Sequence, residues 1–326
     1  MSVPPVSETP GLFATASRVL RGTDLSVTPL CVGAAPLGGM PDLFGYDVGL
    51  RTAVETLLRV FAGPLNFLDT SNEYAAGESE RRIGLAIKEF GGLPAGFVLA
   101  TKADPDPLTG DFSGERTRRS VGESLQRLGL DRLDLVYLHD PERIDFADAF
   151  RRGGPVDALR ELRDEGVVGH IGVAGGPIEL MRRYVETGAF EVVITHNRFT
   201  LLDRSAEPLL TESADRGIAV VNAAPFGGGI LAKGPVAQPK YAYSPASDRM
   251  LAAVRRMDDD CRTFGVPLAA AALQFSMRDL RVDSTIVGMS APGRVEQTIA
   301  LAAVAIPTEL WQILDTIFAD SIAEYS

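Results

Sequence analysis

The sequence predicts a single α/β domain with the (β/α)8 barrel fold of the TIM type. Short apolar runs alternate with helical segments eight times along the 326 residues. Because each helical segment is a crossover, the strands on either side of it lie parallel in one sheet. The runs at 192–194 and 218–221 are apolar at every position, which a sheet covered on both faces requires. Eight units without a break favour a closed barrel over an open sheet.

The predicted elements follow one another in strand–helix pairs. The first four pairs are expected at 30–35 and 48–61, 66–69 and 78–89, 97–102 and 114–128, and 133–139 and 155–164. The other four are expected at 170–174 and 177–186, 191–197 and 206–215, 218–223 and 248–264, and 285–288 and 292–301. The strands are short apolar runs, the segment at 48–61 is amphipathic, and Pro155 and Pro177 suit the first turns of their helices. A short N-terminal hairpin around residues 21–24 precedes the barrel, and an extra C-terminal helix at 307–319 follows it.

We expect one domain over residues 1–326, because no linker or charge run divides the chain. Residues 1–16 or thereabouts, with three prolines, are expected to form a flexible N-terminal extension. The segment at 33–39 lacks the spacing of a glycine-rich dinucleotide fingerprint and leads into a proline-containing loop. A two-domain dehydrogenase is therefore disfavoured.

Composition and charge argue against several classes of function. A net charge of −11 is unfavourable for a protein that binds the phosphate backbone of nucleic acids. The sequence shows no secretory signal and no apolar run long enough to span a membrane, so the cytoplasm is the expected location. Cys31 and Cys261 are expected to be buried free thiols, and the three histidines have no metal-ligand spacing with them. We expect a small-molecule partner and no metal, while the oligomeric state is left open.

Four polar residues lie at or just beyond the ends of three consecutive predicted strands, namely Asp69, Tyr74, Lys102 and His139. The carboxyl ends of parallel barrel strands meet on one face, where barrel enzymes place their chemistry. Tyr74 is a candidate acid/base whose pKa a nearby Lys102 would lower. Asp69 would hold the lysine, and His139 would orient a substrate oxygen. The four residues therefore predict a proton-transfer site.

Two segments carry a resemblance to a known family. Residues 68–74 (Leu-Asp-Thr-Ser-Asn-Glu-Tyr), followed by Gly77-Glu78-Ser79-Glu80, resemble the signature segment of the aldo-keto reductases. Residues 128–139, which end in Leu-Val-Tyr-Leu-His, resemble the second signature of that family. The resemblance implies a (β/α)8 barrel with a nicotinamide cofactor extended over its C-terminal face. It also implies that Asp69, Tyr74, Lys102 and His139 are the catalytic tetrad.

Further segments narrow the resemblance to the aldose 1-dehydrogenase branch, which includes fucose and galactose dehydrogenases and a pyridoxal 4-dehydrogenase. These segments are His139-Asp140-Pro141, 198–203, 241–243 and 266–275. The branch implies oxidation of C1 of a sugar, or of a similar cyclic hemiacetal such as pyridoxal, to a lactone. Tyr74 would take the hydroxyl proton while the hydride passes to the cofactor. Two alternatives stay open: an NADPH-dependent aldehyde or ketone reductase, and a nucleotide-sensing regulatory barrel without turnover.

The resemblance also identifies candidate cofactor-binding residues. Around the nicotinamide, Ala174, His196 and Ala223 replace the polar or aromatic residues common in the family, with Asn197 beside them. The segment from Pro225 through Phe226, Gly227, Gly228 and Gly229 to Leu231 matches the pyrophosphate loop. After the eighth strand, Gly288, Ser290, Arg294 and Gln297 are expected near the adenosine end. Because the lysine that NADP-preferring members carry near Gly288 is missing, NAD is favoured over NADP.

Substrate choice is expected to depend on three irregular loops, 39–47, 141–153 and 233–247. Candidate substrate contacts in or beside them are Phe44, Tyr46, Asp140, Tyr241 and Tyr243. The aromatic rings could stack on a sugar ring, although surface packing is an equally good explanation for each of them. The sequence does not identify the sugar.

Overall fold

Eight parallel strands form a closed barrel, as predicted, in the computed structural model, which describes residues 14–242 and 244–323. Each strand pairs with its neighbours along the chain, and the eighth closes on the first. In chain order they are β1 (Leu30–Gly33), β2 (Phe67–Asp69), β3 (Val98–Ala103), β4 (Leu133–His139), β5 (Val168–Ala174), β6 (Val192–His196), β7 (Ala219–Ala223) and β8 (Ser284–Gly288). Their bounds differ by no more than two residues from the predicted ones.

Helices cover the outside of the barrel. The first six follow β1 to β6 in turn and are α1 (Leu50–Phe61), α2 (Glu78–Phe90), α3 (Gly114–Leu128), α4 (Pro155–Asp164), α5 (Ile178–Glu186) and α6 (Glu207–Asp215). Beyond β7 come α7 (Ile230–Ala237), α8 (Asp248–Thr263) and α9 (Leu268–Met277), and beyond β8 come α10 (Pro292–Ala302) and α11 (Thr308–Ala323). Short helical turns at Pro41–Phe44 and Phe146–Ala149 lie in the loops after β1 and β4.

One predicted crossover needs correction. We expected the helix at 248–264 to link the seventh and eighth strands, but α9 is the helix that packs against β8 and α10. α8 packs against the C-terminal helix α11. Almost every side chain of α9 is buried, so its sequence lacks the amphipathic period by which a surface helix is recognised. Tertiary burial on all sides thus concealed the helix.

Two apolar clusters make up the core. The inner one fills the barrel with side chains from alternate strand positions, among them Phe67, Val98, Leu135 and Tyr137. The outer one lies between the barrel and the helices. Because side chains fill the interior, the barrel is a packed core and not a pore, and an active site can form only above the strand ends.

The N-terminal hairpin closes the opposite end. Its strands pair residues 18–19 with 26–27, and Leu20 and Val27 are part of the inner cluster. The Arg18 guanidinium donates to the carbonyl oxygens of Val282 and Asp283, just before β8 begins. The barrel therefore opens only at the carboxyl ends of its strands.

Of the extension predicted at residues 1–16, residues 1–13 lie outside the described residues, and Ala14 is already buried in the core. Cys31 and Cys261 are both buried and free, as expected. Within the described ranges, no helix has the length and apolar character needed to cross a membrane.

Candidate active site

The strand ends bring the four predicted residues together on one face. Asp69 is the last residue of β2, His139 is the last of β4, and Lys102 is the penultimate residue of β3. Strand register pairs Asp69 with Ala100, and Lys102 with Tyr137. Tyr74 lies five residues beyond Asp69 in the loop that leads to α2.

Lys102 is the centre of the hydrogen-bond network. Its Nζ donates to Asp69 Oδ2 at 2.7 Å and to the Thr70 carbonyl oxygen at 2.6 Å. It also donates to the Tyr74 hydroxyl oxygen at 3.1 Å. The His139 ring stands edge-on to the Tyr74 ring, with centroids 5.9 Å apart. The four side chains thus form one contiguous polar cluster.

Burial acts against both charges of the Asp69–Lys102 pair. It raises the pKa of Asp69, which Lys102 only partly offsets. Burial lowers the pKa of Lys102, but Asp69 and Tyr74 outweigh it and the net direction is upward. We take the pair as ionised, because Lys102 makes three hydrogen bonds as donor, which only the ammonium form can do.

The pKa of Tyr74 departs from our prediction. Burial raises the pKa of Tyr74 to about 12, although Lys102 acts in the lowering direction as expected. The carboxylates of Asp69 and Asp104 add to the rise. The desolvation of the phenol therefore exceeds the effect of the ammonium group. At neutral pH Tyr74 carries its proton.

His139 has a carboxylate partner that we did not predict from the sequence. Its Nδ1 lies 2.5 Å from Oδ1 of Asp104, a fully buried residue in the loop after β3. Burial lowers the pKa of His139, but Asp104 outweighs burial and the net direction is upward. A signal was present in the sequence: Asp104 is two residues beyond Lys102, and alternation places such residues on the same side of a strand.

Glu73 and Asp104 have ligand atoms within 4.8 Å of those of His139. These atoms already have protein partners, because Glu73 pairs with Arg143 at 2.5 Å and Asp104 accepts from Ser71 at 2.6 Å. Protein groups thus already engage the carboxylates of Glu73 and Asp104.

A cavity of about 910 Å³ opens above the four residues. Its lining includes small residues at the ends of β1, β5, β7 and β8: Gly33, Ala174, Gly175, Ala223, Ala224 and Gly288. It also includes polar and apolar residues from the loops after β1 to β4, among them Met40, Phe44, Glu73, Asp106 and Asp140. We call the part of the cavity beside the small residues the slot, and their short side chains leave space there for a flat ring.

Four of the predicted cofactor residues line this slot: Ala174, His196, Ala223 and Gly288. Burial lowers the pKa of His196, so its ring is neutral at neutral pH. Its Nδ1 lies 3.2 Å from Nδ2 of Asn197, whose Oδ1 has no partner within the described residues. His196 thus presents a polar group to the cavity at the end of β6, and Asn197 is buried behind it.

The glycine-rich segment adopts left-handed backbone conformations, with φ of 57° at Gly227, 75° at Gly228 and 101° at Gly229. A Cβ at Gly227 would lie 2.4 Å from the Tyr241 ring, so glycine is required there by packing. Pro225 and Leu231 are buried, and the N–H of Leu231 donates to Phe226 O. Leu231 is therefore a core residue and its N–H group is not available to an anion.

Ser290 precedes α10, and Arg294 and Gln297 lie in its first two turns. No side chain caps this helix, because its N-cap is Ala291. Arg294 Nη1 donates to Gln297 Oε1 at 2.7 Å on the surface. An uncapped helix N-terminus presents backbone N–H groups to an anion.

Of the five predicted substrate contacts, two line the cavity, two are outside its lining and one is outside the described residues. Phe44 and Asp140 line the cavity, and Asp140 Oδ1 lies 3.7 Å from His139 Nε2. Tyr46 stacks near Phe44 and faces Lys233 of α7, whose Nζ is 5.5 Å from its ring centroid. Tyr241 donates to the Asn197 carbonyl oxygen at 2.6 Å. Its ring lies beside Gly227 of the glycine-rich segment. Tyr243 lies outside the described residues.

Comparison with known proteins agrees with this geometry. A family model described as aldo/keto reductase family matches residues 29–319. The chain is 31% identical to a pyridoxal 4-dehydrogenase from Microbacterium luteolum, with 93% of this chain and 97% of that protein covered. It is 32% identical to a D-threo-aldose 1-dehydrogenase from a Pseudomonas species, covering 88% and 93%. It is 31% identical to an L-galactose dehydrogenase from Arabidopsis thaliana, covering 87% and 86%.

Among solved structures, the holo form of an aldo-keto reductase from Bacillus halodurans superposes with a TM-score of 0.76 at 24% identity. The match covers 92% of this chain and 95% of that one. At this identity the likeness supports the barrel fold.

Proposed function

Because this chain belongs to the aldo/keto reductase family and is an NAD(P)-dependent oxidoreductase, we propose that it oxidises C1 of an aldose, or of a similar cyclic hemiacetal such as pyridoxal, to a lactone. The observation that carries the proposal is the contact of Lys102 Nζ with both Asp69 and the Tyr74 hydroxyl, beneath the cavity. Such a contact couples a phenol to a buried cation, which is the arrangement needed for proton transfer.

In this mechanism Tyr74 exchanges a proton with the substrate oxygen. In oxidation, the Tyr74 phenolate takes the proton of the anomeric hydroxyl as the C1–H bond breaks. Lys102 stabilises the phenolate, and Asp69 holds Lys102 in place at 2.7 Å. His139 donates to or accepts from the same oxygen and thereby orients it. When bound, the nicotinamide cofactor supplies the acceptor for the hydride that leaves C1.

The residues present fit a dinucleotide. The slot beside the tetrad has small side chains at Ala174, Ala223 and Gly288, which leave space for the nicotinamide ring. His196, which lines the cavity, would hold the carboxamide, and Asn197 beside it would position the His196 ring through the contact between Asn197 Nδ2 and His196 Nδ1 at 3.2 Å. Gly228, Gly229 and the start of α10 would hold the phosphates.

NAD is the preferred cofactor in this proposal. The segment from Gly288 to Gln297 contains one cation, Arg294, and its Nη1 is engaged by Gln297. Glu296 in the same segment pairs with Arg59. A 2′-phosphate placed here would meet little free positive charge, so NADP gains little over NAD.

The cavity also suits a polyhydroxylated substrate. Asp140, Glu73 and Asp106 line the cavity, and carboxylates accept hydrogen bonds from sugar hydroxyls. Phe44 provides an apolar face on which a sugar or pyridine ring can stack. The names of the three relatives point to such substrates.

The proposal is tested by a substrate and cofactor screen. Purified protein is given NAD or NADP with L-fucose, D-arabinose, L-galactose and pyridoxal, and the absorbance of the reduced cofactor is followed. We expect turnover with at least one of them and a higher kcat/KM for NAD. No turnover with any of the four would remove the substrate assignment.

The role of Tyr74 is tested with Tyr74→Phe. We expect a loss of kcat of about 10²- to 10⁴-fold, because the proton-transferring group is gone. Tyr184→Phe is the matched control: Tyr184 is buried in α5 and its hydroxyl has no hydrogen-bond partner within the described residues. Full activity of Tyr74→Phe would overturn the mechanism.

One observation favours the reverse reaction as a second candidate. A phenol whose pKa is raised to about 12 keeps its proton at neutral pH and is suited to donate it to a carbonyl oxygen. Reduction of an aldehyde or ketone with NADH or NADPH would use the same four residues. Comparing initial rates in both directions at pH 7 separates the two, because faster reduction at saturating substrates favours the reductase.

A further inference from the structure

Asp104 is a buried carboxylate to which the proposed proton-transfer mechanism assigns no role. It lies in the loop after β3, and its side chain makes three hydrogen bonds. Oδ2 accepts from Ser71 Oγ at 2.6 Å and from the backbone N–H of Glu73 at 3.0 Å. Oδ1 lies 2.5 Å from Nδ1 of His139.

The backbone of Asp104 is held as firmly as its side chain. Its N–H donates to Ser120 Oγ at 3.0 Å, and its carbonyl oxygen accepts from Arg116 Nε at 3.2 Å. Both partners come from α3. The carboxylate therefore has a fixed position, set by a strand end and a helix that do not move with the ring of His139.

The proton in the contact between Asp104 and His139 belongs to the histidine. Burial raises the pKa of Asp104, but His139, Ser71 and the Glu73 N–H outweigh it, and the carboxyl is held below its usual pKa. An ionised carboxylate only accepts hydrogen bonds. A separation of 2.5 Å between Oδ1 and Nδ1 then requires that Nδ1 carry the hydrogen.

We propose that Asp104 is a positioning residue that keeps a proton on Nδ1 of His139, so that Nε2 alone meets the substrate oxygen. When the ring is protonated, Nε2–H is a charged donor to that oxygen. When the ring is neutral, Nε2 is a lone pair that accepts from the hydroxyl of the alcohol. The inference rests on the proposed function for its catalytic meaning, but the position of the proton is a property of the protein alone.

The groups around the His139 ring include some that favour its protonated form and some that favour its neutral form. Besides Asp104, the titratable groups that face His139 are Asp69, Glu73, Tyr74, Lys102, Asp140, Glu142 and His196. Lys102 acts against a positive ring, whereas Asp140 acts in its favour from the Nε2 side. Asp104 is the largest favourable electrostatic influence on the protonated ring.

Asp104→Asn gives a specific and unusual expectation. The oxygen of the new amide must face Ser71 and the Glu73 N–H, because a backbone N–H can only donate and therefore needs an acceptor. The NH₂ group then faces Nδ1 of His139 and can only donate to it, while Ser71 Oγ, at 3.2 Å from Nδ1, is the more distant partner. The variant is therefore expected to move the proton of the neutral ring from Nδ1 to Nε2.

Nitrogen-15 NMR of the histidine rings in the full-length protein reads the proton position directly. The chain has three histidines, so the spectrum is simple, and a His139→Gln variant identifies the signals of His139. At a pH where the ring is neutral, we expect Nδ1–H in the wild type and Nε2–H in Asp104→Asn. The pKa of His139 is expected to fall in the variant, because a favourable charge is lost.

Kinetics provide a second measurement. We expect kcat of Asp104→Asn to fall by roughly 10- to 100-fold, the loss seen when metal-bound histidines lose an orienting carboxylate, with a smaller change in KM. The part of the pH profile of kcat/KM that follows His139 is expected to shift to lower pH. Asp111→Asn is the matched control, because Asp111 is an exposed carboxylate of the same loop. Its spectrum and profile should equal those of the wild type.

Nε2–H in the neutral wild-type ring, or an unchanged tautomer in Asp104→Asn, would overturn the proposal. The wild-type spectrum alone gives this test even if the variant fails to fold. The failure of the proposed function is distinguishable, because it shows as a lack of turnover in the substrate screen while the histidine spectra keep the expected pattern.

Discussion

At the scale of single residues, the acidity of Tyr74 results from two opposing effects. Burial disfavours the phenolate, and Lys102 at 3.1 Å favours it. Burial is the larger effect, and the pKa is raised to about 12. The unliganded protein therefore holds Tyr74 as an acid, and its use as a base depends on hydroxide concentration and on charges brought by ligands.

A pH dependence follows for the oxidative direction. Only the phenolate can take the substrate proton, and its fraction grows roughly tenfold per pH unit below the pKa. We expect kcat/KM for oxidation to rise between pH 7 and pH 10, and kcat/KM for reduction to show no such rise. Initial rates at fixed ionic strength provide the measurement. A flat oxidation profile over this range would contradict a role of Tyr74 as base.

Lys102→Met gives the matching comparison. Because Lys102 lowers the pKa of Tyr74, its removal is expected to displace the rising profile towards higher pH. A profile that stays in place would show that the lysine does not act through Tyr74.

The sequence allowed the prediction of these residues but not of their energetics. Asp69, Lys102 and His139 each end an apolar run, and the topology of parallel strands brings such ends together. The net direction of the Tyr74 pKa depends on how deeply the loop buries the phenol, which no local pattern shows. Asp104 was not predicted, because its role depends on a contact with His139, which is 35 positions away in the sequence.

At the scale of elements, strained backbone is concentrated on the catalytic face. Within the described ranges, the non-glycine residues with positive φ are Ala75, Ala76, Asp140, Asn197, Ala224 and Ala242. All of them lie in loops that follow β2, β4, β6 or β7, and Asp140, Asn197 and Ala224 come directly after their strands. Such conformations cost free energy, and they persist where the surrounding structure holds them.

Ala76→Gly is expected to stabilise the protein. Ala76 has φ of 53° and is exposed, so glycine removes the cost of the left-handed conformation without opening a cavity. We expect the free energy of unfolding to rise by about 1 kcal/mol in urea titrations. The control is Ala252→Gly at an exposed position inside α8, where a loss of about 1 kcal/mol is expected. Equal signs for the two variants would contradict the assignment of strain.

Element boundaries were largely predictable, because each barrel strand is a short apolar run and the surface helices are amphipathic. The exception is α9, in which apolar residues occur on all sides. Its burial between α10 and β8 is a property of the assembled barrel and leaves no periodic trace in the sequence.

At the scale of the whole molecule, the two ends of the barrel have separate tasks. The hairpin closes one end with Leu20 and Val27, and the cavity with its polar cluster occupies the other. The packed inner cluster lies between them. Changes at the closed end are therefore expected to affect stability without changing the chemistry.

Leu20→Ala tests this separation. Leu20 is fully buried in the inner cluster, and its truncation is expected to lower the free energy of unfolding by about 2–5 kcal/mol. The kcat of the folded protein should remain at the wild-type value. Val19→Ala is the control, because Val19 is 59% exposed and should change stability little. A tenfold loss of kcat in Leu20→Ala at a temperature where it is folded would show that the ends are coupled.

The hairpin also provides a point at which the molecule can be attached to a surface. Its strands are anchored by Arg18 to the carbonyl oxygens before β8, at the end remote from Tyr74. A surface linker attached at the exposed position 19 of the hairpin would tether the protein by its closed end and leave the cavity mouth facing the solution. On an electrode or a sensor bead, molecules coupled in this way would share one orientation, and each would present its substrate entrance to the flowing sample.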